Sequence, residues 1–143
     1  MKTNNYKDKS PEELNKLLAT RICGWHEDID RAVKYAPELK WWVDDKLMTD
    51  IHTGIVMLQS DWNPCDPNSA QIQNYVIPVL LKHSNDIQIA IYFWEGDYTI
   101  NIVRHDSKNF FDIKQKTDDI TQLNQVVAAA FLEAFEIIEG EKK

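Results

Sequence analysis

The stretch "IQIAIYFWEGDYTINIVR", residues 87 to 104, constrains the fold most. Ile87, Ile89, Ile91 and Phe93 alternate with Gln88, Ala90, Tyr92 and Trp94. After Glu95, Gly96 and Asp97 the alternation resumes, with Tyr98, Ile100 and Ile102 against Thr99, Asn101 and Val103. A period of two places successive side chains on opposite faces of an extended chain, and Gly96 supplies the positive φ that a short hairpin needs. Two antiparallel strands follow. "FFDIKQK" at 110–116, after the polar "HDSKN", predicts a third.

Helical periods flank this hairpin. "SPEELNKLLATRI" sets Ser10 at the N-cap, Pro11 at the first helical position and Glu13 at the third, ahead of an apolar face of Leu14, Leu17, Leu18 and Ile22. The spacing predicts a helix over 11–23, ended by Gly24 in a left-handed cap that delivers Trp25. "DDITQLNQVVAAAFLEAFEII" predicts a second long helix, with Asp118 as cap, Gly140 as its end, and Ile120, Leu123, Val127, Ala130, Phe131, Ala134 and Ile138 on one broad face. Between 26 and 60 the pattern allows a short helix near 28–36 and a strand at 54–58. If that region is extended, Trp41 and Trp42 point to opposite sides.

These elements predict an α+β domain, an antiparallel sheet flanked by helices on both faces, with part of one face left for a ligand or partner. A chain of 143 residues with 43% hydrophobic content builds one core, expected over 10–139, with frayed ends at 1–9 and 140–143. The net charge of −7 disfavours nucleic-acid polymer and anionic membrane as partners, and no apolar run is long enough to cross a bilayer. A soluble cytoplasmic protein is the expectation, with Cys23 and Cys65 as two lone thiols.

"DWNPCDPNSAQIQNYVIPVLL", 61–81, reads either as a loop presenting side chains to a ligand or as a turn that plugs one end of the core. Asp66 as N-cap and Pro67 as first helical residue predict a helix carrying Ile72, Val76, Val79 and Leu80, kinked at Pro78. Its first turn, with Asn63, Asn68 and Ser69 nearby, offers donors to a small anion, although Asp66 competes for them.

Three segments together resemble the small bacteriophage proteins of the phage ABA-sandwich domain family: "ELNKLLATRICGW" at 13–25, "WNPCDPNSAQIQNYVIPVL" at 62–80 and "VVAAAFLEAF" at 126–135. Leu14, Leu17, Gly24 and Trp25 fall on the family's opening helix and its GW pair. Trp62 and Pro64 fall on its W.P segment, and Ala128, Ala129 and Ala130 on its alanine-rich closing helix. The chain departs from the pattern at Cys65, where serine is usual, in "DPNSAQIQ", and by an insertion around 26–40. The resemblance covers most of the chain and implies a phage-encoded, three-layer α/β/α fold without an established catalytic mechanism.

No catalytic constellation competes with that reading. The four histidines, His26, His52, His83 and His105, lack metal-ligand spacing, and the four glycines form no phosphate loop. No cofactor, no metal and no enzymatic activity are expected. The aromatic excess of 5 Trp, 5 Tyr and 5 Phe offers flat surfaces instead. Taken with these flat surfaces, the resemblance implies a phage accessory protein, and analogy with other small phage proteins suggests that it sequesters a nucleotide second messenger of bacterial defence, a cyclic nucleotide or an ADP-ribose derivative. Trp25, Trp62 and Tyr92 are the stacking candidates, with Arg21, Asn63 and Arg104 as polar contacts. The rival is a protein-interaction or homo-oligomeric module that uses Trp41, Trp42 and the outward aromatic face of the hairpin.

Overall fold

The computed structural model describes residues 6–28, 40–48, 53–83, 86–105 and 110–140. Helix α1, Pro11–Leu17, starts as its sequence requires: the Ser10 hydroxyl accepts the Glu13 N–H at 3.2 Å, and Pro11 follows it. The helix then widens into a π turn, Leu18–Ile22, closed by Cys23 N–H donating to Leu18 O. Gly24 takes a φ of +73°, which a side chain would strain, and Trp25 N–H donates back to Ala19 O at 2.9 Å.

Two three-stranded antiparallel sheets follow. The first has the order β1 His26–Asp28, β2 Trp41–Met48, β3 Thr53–Leu58; the second has β4 Ile87–Trp94, β5 Asp97–Arg104, β6 Phe111–Thr117. The β4–β5 hairpin runs without a register break from Ile87 opposite Arg104 to Trp94 opposite Asp97. Its two-residue turn has φ of 51° at Glu95 and 86° at Gly96, so both residues are left-handed, as a type I′ turn demands. The first sheet is less regular, with register shifts on either side of Val43.

The α+β class and a sheet with helices packed on it hold. The chief helix, α3 Leu123–Gly140, lies over β5 and β6 and buries Val127 through Leu132 without interruption. Such a run means that the middle of the helix is covered all round. The sheet covers one side; α1, the Tyr6 turn and α2 (Ile77–His83) meet the others. Alanines at 128–130 and 134 permit that crowding, because their short side chains let neighbouring backbones approach.

Several expectations change. Helices cover only one face of the β4–β6 sheet among the described residues: Gln88, Tyr92, Trp94, Lys114 and Lys116 on the other face are exposed. The N-terminal fray does not extend to residue 9, since Tyr6 is buried and its hydroxyl donates to Glu136 at 2.8 Å. Asp119, not Asp118, caps the final helical segment, its carboxylate accepting Thr121 N–H at 2.9 Å, and Ile120 stands exposed in the 3-10 turn before α3. The helix expected from Pro67 starts later. Asp66 accepts Asn68 N–H through its carboxylate and Ser69 N–H through its carbonyl, closing a turn, and the helical ladder opens with Asn74 N–H on Ala70 O. A π turn at Ile72–Val76 leads into α2, immediately ahead of Pro78, where the ring and the missing N–H disrupt ordinary α geometry. The short helix expected near 28–36 falls almost wholly outside the described residues.

Candidate functional site

The tryptophan loop is a plug in the core. Trp62 is 5% exposed and Trp25 6%, with ring centroids 4.9 Å apart and planes at 66°. Tyr75 closes the cluster edge-on, 5.5 Å from Trp25 and 5.8 Å from Trp62. Edge-to-face packing of this kind directs ring edges at ring faces, a geometry that adds stability beyond area burial and consumes the surfaces on which a base would stack.

Polar side chains pin the loop at both ends. Asn15 on α1 accepts the Trp62 indole N–H with its carbonyl at 2.7 Å, accepts Cys65 N–H with its side-chain oxygen at 3.0 Å, and donates to the Asn63 side chain at 2.9 Å. Gln71 accepts Asn63 N–H and donates to Asp61 O, each at 2.7 Å. Asn124 on α3 donates to the carbonyls of Asp66 and Ser69 at 2.7 and 3.2 Å. The asparagines and glutamine thus substitute for the backbone partners that the irregular loop lacks. The backbone N–H groups of Asn68 and Ser69, which the expected first turn near Pro67 would have offered to an anion, donate instead to Asp66 within the loop.

The thiols are equally enclosed. Burial, followed by the charge of Asp44, pushes the Cys23 thiol up to about 12; burial, followed by Glu12, does the same for Cys65. Neither is poised as a nucleophile near neutral pH. Both are free thiols, and no group of three or more His, Cys, Asp or Glu side chains gathers around a common point among the described residues.

The β4–β5 tip has the opposite character. Ile91 is 45% exposed, Tyr92 42%, Phe93 58% and Trp94 69%, consecutive along an edge strand. Phe93 and Tyr98 face each other across the hairpin with ring centroids 4.7 Å apart. Since α3 lies over β5 and β6, it leaves the end of β4 uncovered. Exposed apolar side chains on both sides of one edge strand, Ile91 and Phe93 on one and Tyr92 and Trp94 on the other, are what a strand-edge contact site needs.

No family model, curated protein or solved structure matches the chain.

The six sequence-derived candidates therefore do not form one site. Trp25, Trp62 and Asn63 come together, but in the plug. Arg21 is exposed and donates to the Tyr6 hydroxyl at 3.0 Å, in line with Glu136. Arg104 is buried on the α3-facing side of its sheet, 5.7 Å over the Phe111 ring. Tyr92 projects from the opposite side. Of the rival set, Trp42 is buried and Trp41 half-buried, so the hairpin aromatics alone present an open surface. Sequence reasoning passed over Asn15, Gln71, Tyr75 and Asn124. Asparagines next to a helix's apolar stripe, where their propensity is poor, were the available signal.

Proposed function

We propose that this protein is a non-catalytic interaction module that docks through the tip of its β4–β5 hairpin. The observation that carries the reading is the run of four exposed apolar residues, Ile91 to Trp94, on an edge strand that α3 does not cover. Exposing such side chains favours aggregation unless they have a partner, so their concentration at the end of one strand argues for use. The enclosed thiols and the self-capped tryptophan loop support a role without bond-making chemistry.

Nucleotide sequestration ranks second. It retains Tyr92 as an exposed ring, whereas Trp25 and Trp62 are committed to each other. A thermal shift with cyclic nucleotides or ADP-ribose derivatives that Tyr92→Ala abolishes is the result that would restore it to first place.

A photo-crosslinking amino acid at position 95, in cells expressing the protein, tests the docking role. Expected are discrete adducts that disappear when Phe93 and Trp94 are both changed to serine. Equal labelling with and without the tip aromatics, or the same adducts from a crosslinker at the exposed position 82, would overturn the reading.

A further inference from the structure

We infer that the occupant of this surface is a second copy of the chain, paired antiparallel through β4 about a two-fold axis at Ile91. The inference rests on the hairpin being a docking surface and adds the identity and register of what docks.

The two edges of the β4–β6 sheet differ in charge. β6 presents Asp112, Lys114 and Lys116, the alternating charges that keep a strand edge single. β4, "IQIAIYFW", has no charged residue, no proline and no glycine. One edge is guarded and the other is not. Pairing through β4 alone uses up the open edge and leaves only the guarded one, so the assembly closes as a dimer and does not propagate as a filament. Two copies of net charge −7 repel one another, and the uncharged β4 is the edge at which that repulsion opposes pairing least.

Hairpin geometry sets the register. Trp94 and Asp97 flank a two-residue type I′ turn and form a hydrogen-bonded pair, so Gln88, Ala90, Tyr92 and Trp94 bond inward to β5. The N–H and C=O groups of Ile87, Ile89, Ile91 and Phe93 consequently point to the edge that, among the described residues, no other strand pairs. With Ile91 opposite Ile91 of the second copy, Ile89 meets Phe93 in a hydrogen-bonded pair on the helix side. On the other side Ala90 meets Tyr92, small against large. Shifting the pairing by two residues, to centre on Ala90, opposes two alanines and leaves Trp94 beyond the contact. The exposed area of the four tip residues is on the order of 450 Å² per copy, about half the ~800 Å² per partner of a standard stable interface. An interface of this size belongs to the weak, transient class, and association in the micromolar range is the expected outcome. The Ile91 register also brings Asp86 close to Glu95 and Asp97 of the second copy, so raising the ionic strength strengthens the dimer.

Two single-cysteine variants test the register. Ala90 and Tyr92 are exposed, and as a non-hydrogen-bonded pair their Cα atoms come to about 4.5 Å, inside the roughly 4.4–6.8 Å range of disulfides. Under mild oxidation, an equimolar mixture of Ala90→Cys and Tyr92→Cys gives a mixed covalent dimer that neither variant gives alone, while buried Cys23 and Cys65 stay silent. Sedimentation of the unmodified chain shows a monomer–dimer equilibrium, which Ile91→Lys shifts toward monomer at least several-fold with an unchanged circular dichroism spectrum. A monomer at roughly 100 µM, well above the range of the proposed association, overturns self-pairing. So does crosslinking of Ala90→Cys to itself in preference to Tyr92→Cys. If the position-95 crosslinker then yields adducts of other masses, docking stands and only the partner is wrong; if it yields none, both fail.

Discussion

The indole N–H of Trp62 donates to the main-chain oxygen of Asn15 at 2.7 Å, joining positions 47 residues apart. Through this bond and the two made by the Asn15 side chain, α1 holds the tryptophan loop against the core.

Trp42 provides the control for that bond. Both indoles are almost fully buried, but the Trp42 N–H has no hydrogen-bond partner among the described residues. Replacing either by phenylalanine removes similar ring volume; only Trp62→Phe also orphans a bond. Trp62→Phe is expected to destabilise by about 1–2 kcal/mol more than Trp42→Phe in urea unfolding. Equal losses would mean that the bond contributes nothing net.

The thiols make a pH prediction with a definite sign. Cys23 and Cys65 have folded pKa values raised from 9.0 to about 12. The unfolded chain releases these protons near pH 9 and the folded chain holds them, so stability is intact below pH 9 and falls as the pH climbs toward 12. Each thiol contributes a slope of up to about 1.4 kcal/mol per pH unit over that window. Comparing the chain with its Cys23→Ala, Cys65→Ala double variant isolates the slope, which the variant should lack. Alkylation of the native chain at pH 8 should be far slower than that of the unfolded chain.

Glu95 sits at a φ of 51°, where a side chain is strained, in a turn type that favours asparagine followed by glycine. Glu95→Asn is therefore expected to raise stability by roughly 0.5–1 kcal/mol. Gly96→Ala, at a φ of 86° with open space around the added Cβ, is expected to cost about 1–2 kcal/mol from backbone strain alone. Thermal melts of the two variants should move in opposite directions.

Local chemistry made much of this fold legible. The Ser10 cap, the left-handed Gly24 and the period-two hairpin with its Gly96 turn all depend on residues within a few positions of one another, and each stands where the sequence places it. Local rules gave the wrong start to the second helix, because Asp66 can cap a turn as readily as a helix. The choice fell to Asn124, 58 residues away, which takes the Asp66 carbonyl.

The sequence by itself determined that aromatic residues were in excess and where the strands alternate, since composition and period are local properties. Only the tertiary structure decided which aromatics are spent. Trp25 and Trp62 lie 37 positions apart in sequence and pack ring edge to ring face, while Phe93 and Trp94, no more apolar, lie where α3 does not reach. Burial depends on which elements meet across the core, and the pattern along a single strand does not contain that.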